Sequence, residues 1–183
     1  MIADRIRAAL TAPLADLGLV VEDLSVQAAG RRRVVRVAVD VDLADLASDD
    51  TTSRIAPLAL DEIADATRVV SDTLDAAGTM GETAYVLEVS SPGVERPLLQ
   101  WRQWRRNVGR LVVATRPDGT AVRGRIRAVT TDAVDLAPES AAVLTLPIAE
   151  LTRARIEVEF GRVDDLDDLD DLDELNDASE EDD

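Results

Sequence analysis

The sequence predicts an α+β protein with two folded domains followed by a disordered acidic tail. Up to residue 97, helical and strand periodicities alternate, whereas residues 98–161 show mainly short strands separated by turns. Residues 162–183 contain 13 acidic residues and one arginine, a composition typical of disorder. We therefore expect an N-terminal two-layer α/β domain in residues 1–97, a small β-barrel in residues 98–161, and a tail.

The first domain is predicted to hold two helices and three strands. Apolar residues recur at helical spacing in residues 2–17, and Gly18 is the expected end of that helix. Alternating residues on both sides of Gly30 predict a β-hairpin. A second amphipathic helix is expected to end at Gly78. Two helices should then cover one face of a three-stranded sheet.

The segment between the hairpin and the second helix carries no clear period. Residues 43–54 are acidic and polar, which predicts a mobile loop. Ala59 stands where the second helix would begin, and it lacks the side-chain oxygen that usually caps a helix. A cap contributes about 1 kcal/mol, so another residue is needed to supply it.

The third strand ends in a predicted corner between the two domains. Tyr85, Leu87 and Val89 alternate with residues 86 and 88 in a period-2 pattern that predicts a strand with one buried face, and Ser91 is followed by Pro92 and Gly93. Proline favours the first central position of a type II turn, and glycine supplies the positive φ of the second. Arg96 precedes a proline and should be extended. The corner is either a simple domain junction or a partner-recognition element.

A short aromatic and basic segment follows the corner. Trp101 and Trp104 would share one face of a helical turn, with Arg102, Arg105 and Arg106 beside them. The tryptophans could fill the cleft between the domains, or they could form a stacking platform for RNA bases. The sequence leaves both interpretations open.

One strand of the second domain carries three alternating arginines. Val122, Ile126 and Ala128 are expected to face inward, so Arg123, Arg125 and Arg127 should share the solvent face, after a hairpin turn at Asp118-Gly119. Three guanidinium groups on one face could bind phosphate or an acidic protein surface. Solubility of the strand would explain them equally well.

The composition excludes several kinds of chemistry. All 20 basic residues are arginines, and the chain has no lysine, histidine or cysteine. Imidazole and thiolate metal sites, Ser-His triads, cysteine nucleophiles and disulfides are therefore excluded, and no cofactor or metal is expected. An enzyme that uses carboxylates alone is the third alternative, but Glu88 and Glu95 are readily explained as surface or turn partners. Ser90 and Ser91 lack a histidine or lysine base and so are not expected to act as nucleophiles. No apolar run approaches membrane-spanning length, so we expect a cytoplasmic protein.

The net charge of −17 is unevenly distributed along the chain. Residues 1–88 hold 16 acidic residues and 8 arginines, whereas residues 96–127 hold nine arginines and one acidic residue. An acidic first half, a basic middle and an acidic tail result. The basic region could meet RNA phosphate, and the acidic half could meet a basic protein.

The segment Leu-Glu-Val-Ser-Ser-Pro-Gly-Val-Glu-Arg-Pro-Leu, residues 87–98, resembles the signature of the bacterial ribosome maturation factor RimP family. Residues 67–75 are similar to the family's second helix, and residues 146–148 with 154–155 resemble its last strands. The resemblance implies that the second domain is an SH3-like or Sm-like barrel. It also implies a non-catalytic assembly factor for the small (30S) subunit, which binds the free subunit through a ribosomal protein near the decoding region and 16S rRNA.

Two sets of candidate site residues follow. The expected domain-junction and partner-binding set is Ser90, Ser91, Pro92, Gly93, Glu95, Arg96 and Pro97. The expected RNA-binding set is Trp101, Arg102, Trp104, Arg105, Arg106, Arg123, Arg125 and Arg127. The alternative function is a general RNA-binding adaptor with an Sm-like barrel, although the first domain and the tail should oppose ring formation and favour a monomer.

Overall fold

The structure is a computed structural model that describes residues 2–44, 46, 49–81, 83–93 and 96–159. These residues form a first unit up to residue 93 and a second unit from residue 96, each with its own sheet and core. Glu95 of the expected junction set and the predicted acidic tail lie outside the described residues. None of the helices in these ranges is long and apolar enough to cross a membrane.

The first unit packs two helices on a three-stranded sheet, as predicted. Its elements are α1 (Ile2–Ala15), β1 (Leu19–Ala29), β2 (Arg32–Val41), α2 (Leu60–Ala77) and β3 (Tyr85–Ser90). β2 lies in the centre, antiparallel to β1 and parallel to β3. Apolar residues from α1, β2 and α2 meet between the layers, so burial on one face of each element holds the unit together. Its core contains Ile6, Leu10, Leu14, Leu19, Val35, Val37, Val39, Leu58, Ala66, Val70, Leu74 and Met80.

Both ends of α2 are stabilised locally. Ala59 provides no side-chain cap, and the Glu62 carboxylate instead accepts a hydrogen bond from the Ala59 N–H at 2.7 Å. This bond satisfies one backbone donor and places negative charge at the positive end of the helix dipole. Gly78 ends the helix with φ of 55°, a left-handed conformation that glycine adopts without steric cost.

The second unit is a five-stranded antiparallel sheet preceded by a short helix. Its elements are α3 (Trp101–Arg106), β4 (Leu111–Thr115), β5 (Ala121–Val129), β6 (Ala133–Ala137), β7 (Leu144–Pro147) and β8 (Arg153–Ile156). The strand order is β7-β6-β5-β4-β8. Among the described residues β7 and β8 do not pair, so these pairings form a sheet that is not closed into a barrel.

A β-bulge in β5 changes which residues face inward. Its pairing with β6 shifts register between Ile126 and Ala128, so Arg127 has no direct partner. Ile126 is buried before the shift and Val129 after it, whereas Ala128 is only half-buried. The extra residue reverses the alternation. Our prediction that Ala128 faces inward was therefore wrong, whereas Arg127, which lies at the bulge, is exposed.

The corner after β3 differs from the predicted turn. The strand ends at Ser90, as expected. Gly93, however, is not among the glycines with positive φ in the described residues, so it cannot hold the second central position of a type II turn. Instead, the Arg96 N–H donates to the Gly93 carbonyl at 3.3 Å. The chain then reaches the second unit, where the Leu98 N–H donates to the Ala154 carbonyl at 2.9 Å.

Candidate functional site

The two units meet across an interface that is organised by arginines of α3. This helix follows the corner closely and has too few residues to bury a wide apolar stripe. Trp104 points from it into the core of the second unit, where its side chain has no exposed surface. The arginines next to Trp104 therefore point toward the first unit, where they find main-chain and carboxylate oxygens.

Arg105 lies at the centre of the interface. Its side chain is 1% exposed, and a buried guanidinium loses hydration that only full pairing can replace. Its Nε donates to the Asp50 carbonyl at 3.1 Å, and its Nη1 donates to the Ser53 carbonyl at 2.6 Å. Its Nη2 donates to the Ser53 hydroxyl at 2.7 Å and lies 3.1 Å from an Asp50 carboxylate oxygen. All three nitrogens thus have partners in one loop of the first unit.

The Asp50 carboxylate gives that loop its shape. It accepts hydrogen bonds from the Ser53 hydroxyl and from the backbone N–H groups of Ser53 (3.0 Å) and Thr52 (3.2 Å). The Ser53 hydroxyl, then the backbone N–H groups and the Arg105 charge, hold the pKa of Asp50 below its ordinary value. The carboxylate is therefore ionised at neutral pH. Its hydrogen bonds hold the loop in a conformation in which main-chain carbonyls face Arg105.

Residues 49–55, which we call the bridging loop, join the two units. Besides its bonds to Arg105, the loop accepts a hydrogen bond at the Thr51 carbonyl from the Val129 N–H of β5, at 2.9 Å. The Ile55 carbonyl accepts another from Arg106 Nη1 at 2.7 Å. We predicted a mobile loop in residues 43–54, and the part from residue 49 onward makes these bonds to the second unit. Such polar and main-chain contacts leave no hydrophobic period in the sequence by which they could be predicted.

Two further arginines of α3 pair with carboxylates at the end of β2. Arg106 Nε donates to Asp40 Oδ1 at 2.7 Å, and the two side chains are 17% and 11% exposed. Arg102 lies 3.8 Å from Asp42, and both side chains are about one-third exposed. The first pair is a close bond between nearly buried groups, whereas the second is a loose contact. Close charge pairs of this kind fix orientation more than they add net stability.

The expected stacking platform is not formed. Trp104 is fully buried, so no base can stack on it, and it packs in the core of the second unit instead of filling the cleft between the units. Arg105 is equally buried and its donors are occupied. Trp101 is half-buried. Burial of one ring and one guanidinium on the same helix removes the central pair from the expected RNA-binding set.

Arg123 and Arg125 do not form a free basic surface. Arg123 donates to Glu157 at 3.0 Å and to Glu139 at 2.9 Å, and Arg125 donates to Glu159 at 2.7 Å. These bonds raise the pKa of both arginines, and Arg123 lowers the pKa of Glu157 in turn. The glutamates lie far along the chain, so the strand pattern alone suggested charges without partners. The positive charges of these two arginines are thus already neutralised by glutamates of the same chain.

The junction set lies beside a cleft between the two units. Ser91, Pro92, Gly93, Arg96 and Pro97 line this cleft, which has a volume of about 450 Å³. Ser90 is exposed at the end of β3. The corner therefore both connects the units and forms one wall of the space between them.

Arg96 ties the corner back to the first unit. Its Nη2 donates to the Glu22 carbonyl at 3.3 Å and lies 3.8 Å from an Asp23 carboxylate oxygen. Gln103 of α3 reaches the same region, where its Nε2 donates to the Glu22 carboxylate at 3.3 Å. Two residues of the second unit, one directly after the corner and one in α3, are thus bonded to β1. In the described part of the chain, no group of three or more acidic side chains is arranged to hold a metal ion.

These features define a two-unit α+β protein whose polar side chains join the units and line a cleft between them. The first unit matches a known family, since residues 9–95 fit the model of the RimP N-terminal domain. Proteins named ribosome maturation factor RimP from Frankia casuarinae, Parafrankia sp. and Kineococcus radiotolerans are 41%, 39% and 42% identical to the chain. The chain belongs to the RimP family, which confirms the resemblance found in residues 87–98.

These alignments extend beyond the first unit. They cover 85%, 89% and 81% of this chain, respectively. Of the relatives' own lengths they cover 58%, 60% and 72%. The chain thus spans less than two thirds of the first two relatives and nearly three quarters of the third.

Proposed function

We propose that this chain is a non-catalytic maturation factor that binds the free small ribosomal subunit. The observation that carries the proposal is family membership: relatives named ribosome maturation factor align with most of the chain at about 40% identity. In this role the protein would bind an immature subunit transiently and favour its mature arrangement. Such action is a shift in the population of conformations and requires no bond chemistry.

The charge distribution supports two kinds of contact. The acidic first unit suits a basic ribosomal protein, and the arginine-rich region of residues 96–127 suits 16S rRNA. The hydrogen bonds and ion pairs of the arginines described above limit which of them can contact 16S rRNA. Because α3 and β5 use most of their arginines internally, we assign RNA contact to exposed arginines such as Arg127 at the bulge. Both contacts would weaken as salt increases.

The remaining architectural predictions belong to the same proposal. We propose boundaries near residues 97 and 161, a second domain that is SH3-like, and a disordered tail in residues 162–183. The antiparallel strand order supports an SH3-like unit, and the acidic composition supports a disordered tail. We propose a monomer, and a role in bacterial subunit assembly implies a cytoplasmic location.

The junction set is proposed to act mainly through geometry. Ser90, Ser91, Pro92, Gly93, Glu95, Arg96 and Pro97 would hold the two units at a fixed relation, so that one partner surface on each unit can be engaged together. The bonds from Arg96 to β1 support this role. Trp101, at the start of α3, and Arg102, which lines the cleft, are proposed as additional partner contacts.

Co-sedimentation tests the proposal directly. The purified protein is mixed with separated small subunits, large subunits and joined ribosomes at low and moderate salt. Selective binding to free small subunits, weaker at moderate salt, is the expected result. Binding to no particle, or equal binding to every RNA-containing particle, would contradict it. Equal binding would favour the general RNA-binding adaptor instead.

A further inference from the structure

We propose that the cleft between the two units is a phosphate-binding site built around Arg54, Arg102 and Arg110. The phosphate would come from the backbone of an RNA strand, and only this choice of source rests on the proposed function. The site itself is argued from charge, pairing and backbone geometry. It differs from the expected RNA-binding set, because Arg54 and Arg110 were not part of it.

The cleft contains more arginines than it can neutralise. Among the residues that the structure describes, two carboxylates, Glu22 and Asp40, line it. Asp40 is already bonded to Arg106 at 2.7 Å, and Glu22 accepts from Gln103 at 3.3 Å. Positive charge therefore exceeds negative charge inside a partly enclosed space, where electric fields are stronger than on an open surface. The arginines that line the cleft are Arg54, Arg96, Arg102, Arg106 and Arg110.

Three of these guanidinium groups are available to a ligand. Within the described ranges, the side chains of Arg54 and Arg110 have no recorded hydrogen bond or ion pair, and both residues are exposed. Arg102 has only its loose 3.8 Å contact with Asp42. A guanidinium presents a planar set of N–H donors that matches two oxygens of a phosphate. Two unpaired guanidinium groups and one loosely paired guanidinium in the same cleft are therefore suited to bind a phosphate, each through a pair of hydrogen bonds.

Gly109 leaves room for the Arg54 side chain. A Cβ atom at residue 109 would lie 2.6 Å from Arg54 Nε, so the arginine side chain lies directly against the glycine backbone. Gly109 also has φ of 87°, which disfavours any other residue. The same glycine therefore allows Arg54, on the first unit, to lie beside Arg110 on the second. The cleft is assembled only when both units are docked.

The lining of the cleft indicates contact with the RNA backbone and not with its bases. No Trp, Tyr or Phe from the described part of the chain lines it, so these residues provide no stacking surface of the kind that unpaired bases use. Contacts to phosphate position a nucleic acid without reading its sequence. Binding is therefore expected to depend on salt and to be similar for RNAs of different sequence.

The test compares two double variants with the same loss of charge. In R54Q/R110Q the cleft loses its uncommitted arginines, whereas R153Q/R155Q removes two exposed arginines of β8 outside the cleft. Affinity for a short, fluorescently labelled single-stranded RNA is measured by anisotropy over a series of salt concentrations. For R54Q/R110Q we expect roughly tenfold weaker binding at low salt and a salt slope that is smaller by about one to two. The β8 variant should show a clearly smaller change.

A third variant keeps every arginine. Gly109→Ala should push Arg54 out of position and weaken RNA binding by several-fold, while the net charge stays the same. The unfolding midpoint of each variant is measured in parallel, so that binding is compared only between folded proteins. Equal losses for R54Q/R110Q and R153Q/R155Q would overturn the proposal, because binding would then be spread over the surface.

Competition identifies the source of the phosphate. Inorganic pyrophosphate should displace RNA from the wild-type protein and should bind more weakly to R54Q/R110Q. If pyrophosphate binds in this arginine-dependent way and RNA does not bind at all, the phosphate site stands with a free anion as its ligand. If only polyglutamate competes, the cleft recognises carboxylates and the proposal fails. If R54Q/R110Q binds RNA and pyrophosphate as tightly as the wild type does, this inference fails. The proposed function survives in that case if the wild-type protein still binds free small subunits selectively.

Discussion

The interdomain interface and the outer face of the second sheet use the same pair of residue types in different surroundings. In both regions an arginine contacts a carboxylate at 2.7–3.1 Å. At the interface Arg105 and Arg106 are 1% and 17% exposed, whereas Arg123 on the sheet is 45% exposed. Distance alone therefore says little about energy. Burial decides the cost of losing one partner, because a buried charge then remains unpaired whereas an exposed charge is hydrated by water.

The largest effect is expected from Arg105→Ala. Removing this side chain leaves the carbonyls of Asp50 and Ser53 without their donor in a buried site and detaches the bridging loop from α3. Breaking a buried charged network of this kind costs about 3–5 kcal/mol. Urea unfolding, followed by tryptophan fluorescence and circular dichroism, measures the loss in free energy of unfolding. Arg102→Ala is the control, because its contact is loose and partly exposed, and a loss as large as that of Arg105→Ala would break the comparison.

A smaller effect is expected from the bond between Arg106 and Asp40. Arg106→Ala removes a hydrogen bond to a charged group and should lower the free energy of unfolding by about 2 kcal/mol. Asp40→Asn and the double variant complete a cycle that isolates the coupling between the two residues. Additive losses from the two single variants would mean that the pair contributes orientation and no stability of its own.

The bridging loop should respond to acid through Asp50. Its native pKa is lowered, so its contribution to stability is complete above the unfolded pKa of about 3.9 and is lost as pH falls through the native pKa. We therefore expect the thermal midpoint to fall below about pH 4, with less of this fall in Asp50→Asn. The midpoint of both proteins is measured from neutral pH down to acid. Identical curves would show that Asp50 plays no part in acid sensitivity.

The smallest effect is expected on the sheet face. Arg123, which is 45% exposed, has ion pairs that water can replace, so Arg123→Gln should unfold at a denaturant midpoint indistinguishable from that of the wild type. The difference between the midpoints of the variant and the wild type should also stay small when salt is added. A loss comparable to that of Arg106→Ala would show that exposed pairs in this protein behave like buried ones.

Local patterns predicted the elements better than they predicted the contacts between them. The apolar period of α2, its end at Gly78 and the hairpin around Gly30 follow from residues close in sequence, and the structure confirms them. The burial of Arg105 could not be seen in this way, since its partners lie 52 and 55 residues earlier. An arginine is ordinarily expected in solvent.

The bulge at Arg127 shows a second reason why sequence patterns fail. Continuous alternation across β5 assigned every second residue to one face, and nothing in the local composition marks the extra residue. Conversely, the glycine that the sequence analysis emphasised, Gly93, has no positive φ, while Gly109 does and contacts Arg54. A glycine's role in a close approach depends on a residue from another unit, which no local pattern contains.

The order of the bridging loop and α3 along the chain has a consequence for synthesis. The loop leaves the ribosome first, and Arg105 follows 52 residues after Ser53. At a synthesis rate of about 5–20 residues per second, several seconds pass between the synthesis of the loop and that of Arg105. During that time the first sheet can form, but the carbonyls destined for Arg105 are hydrated by water. Joining the two units is therefore a late step, and a nascent chain that stalls before α3 has no cleft.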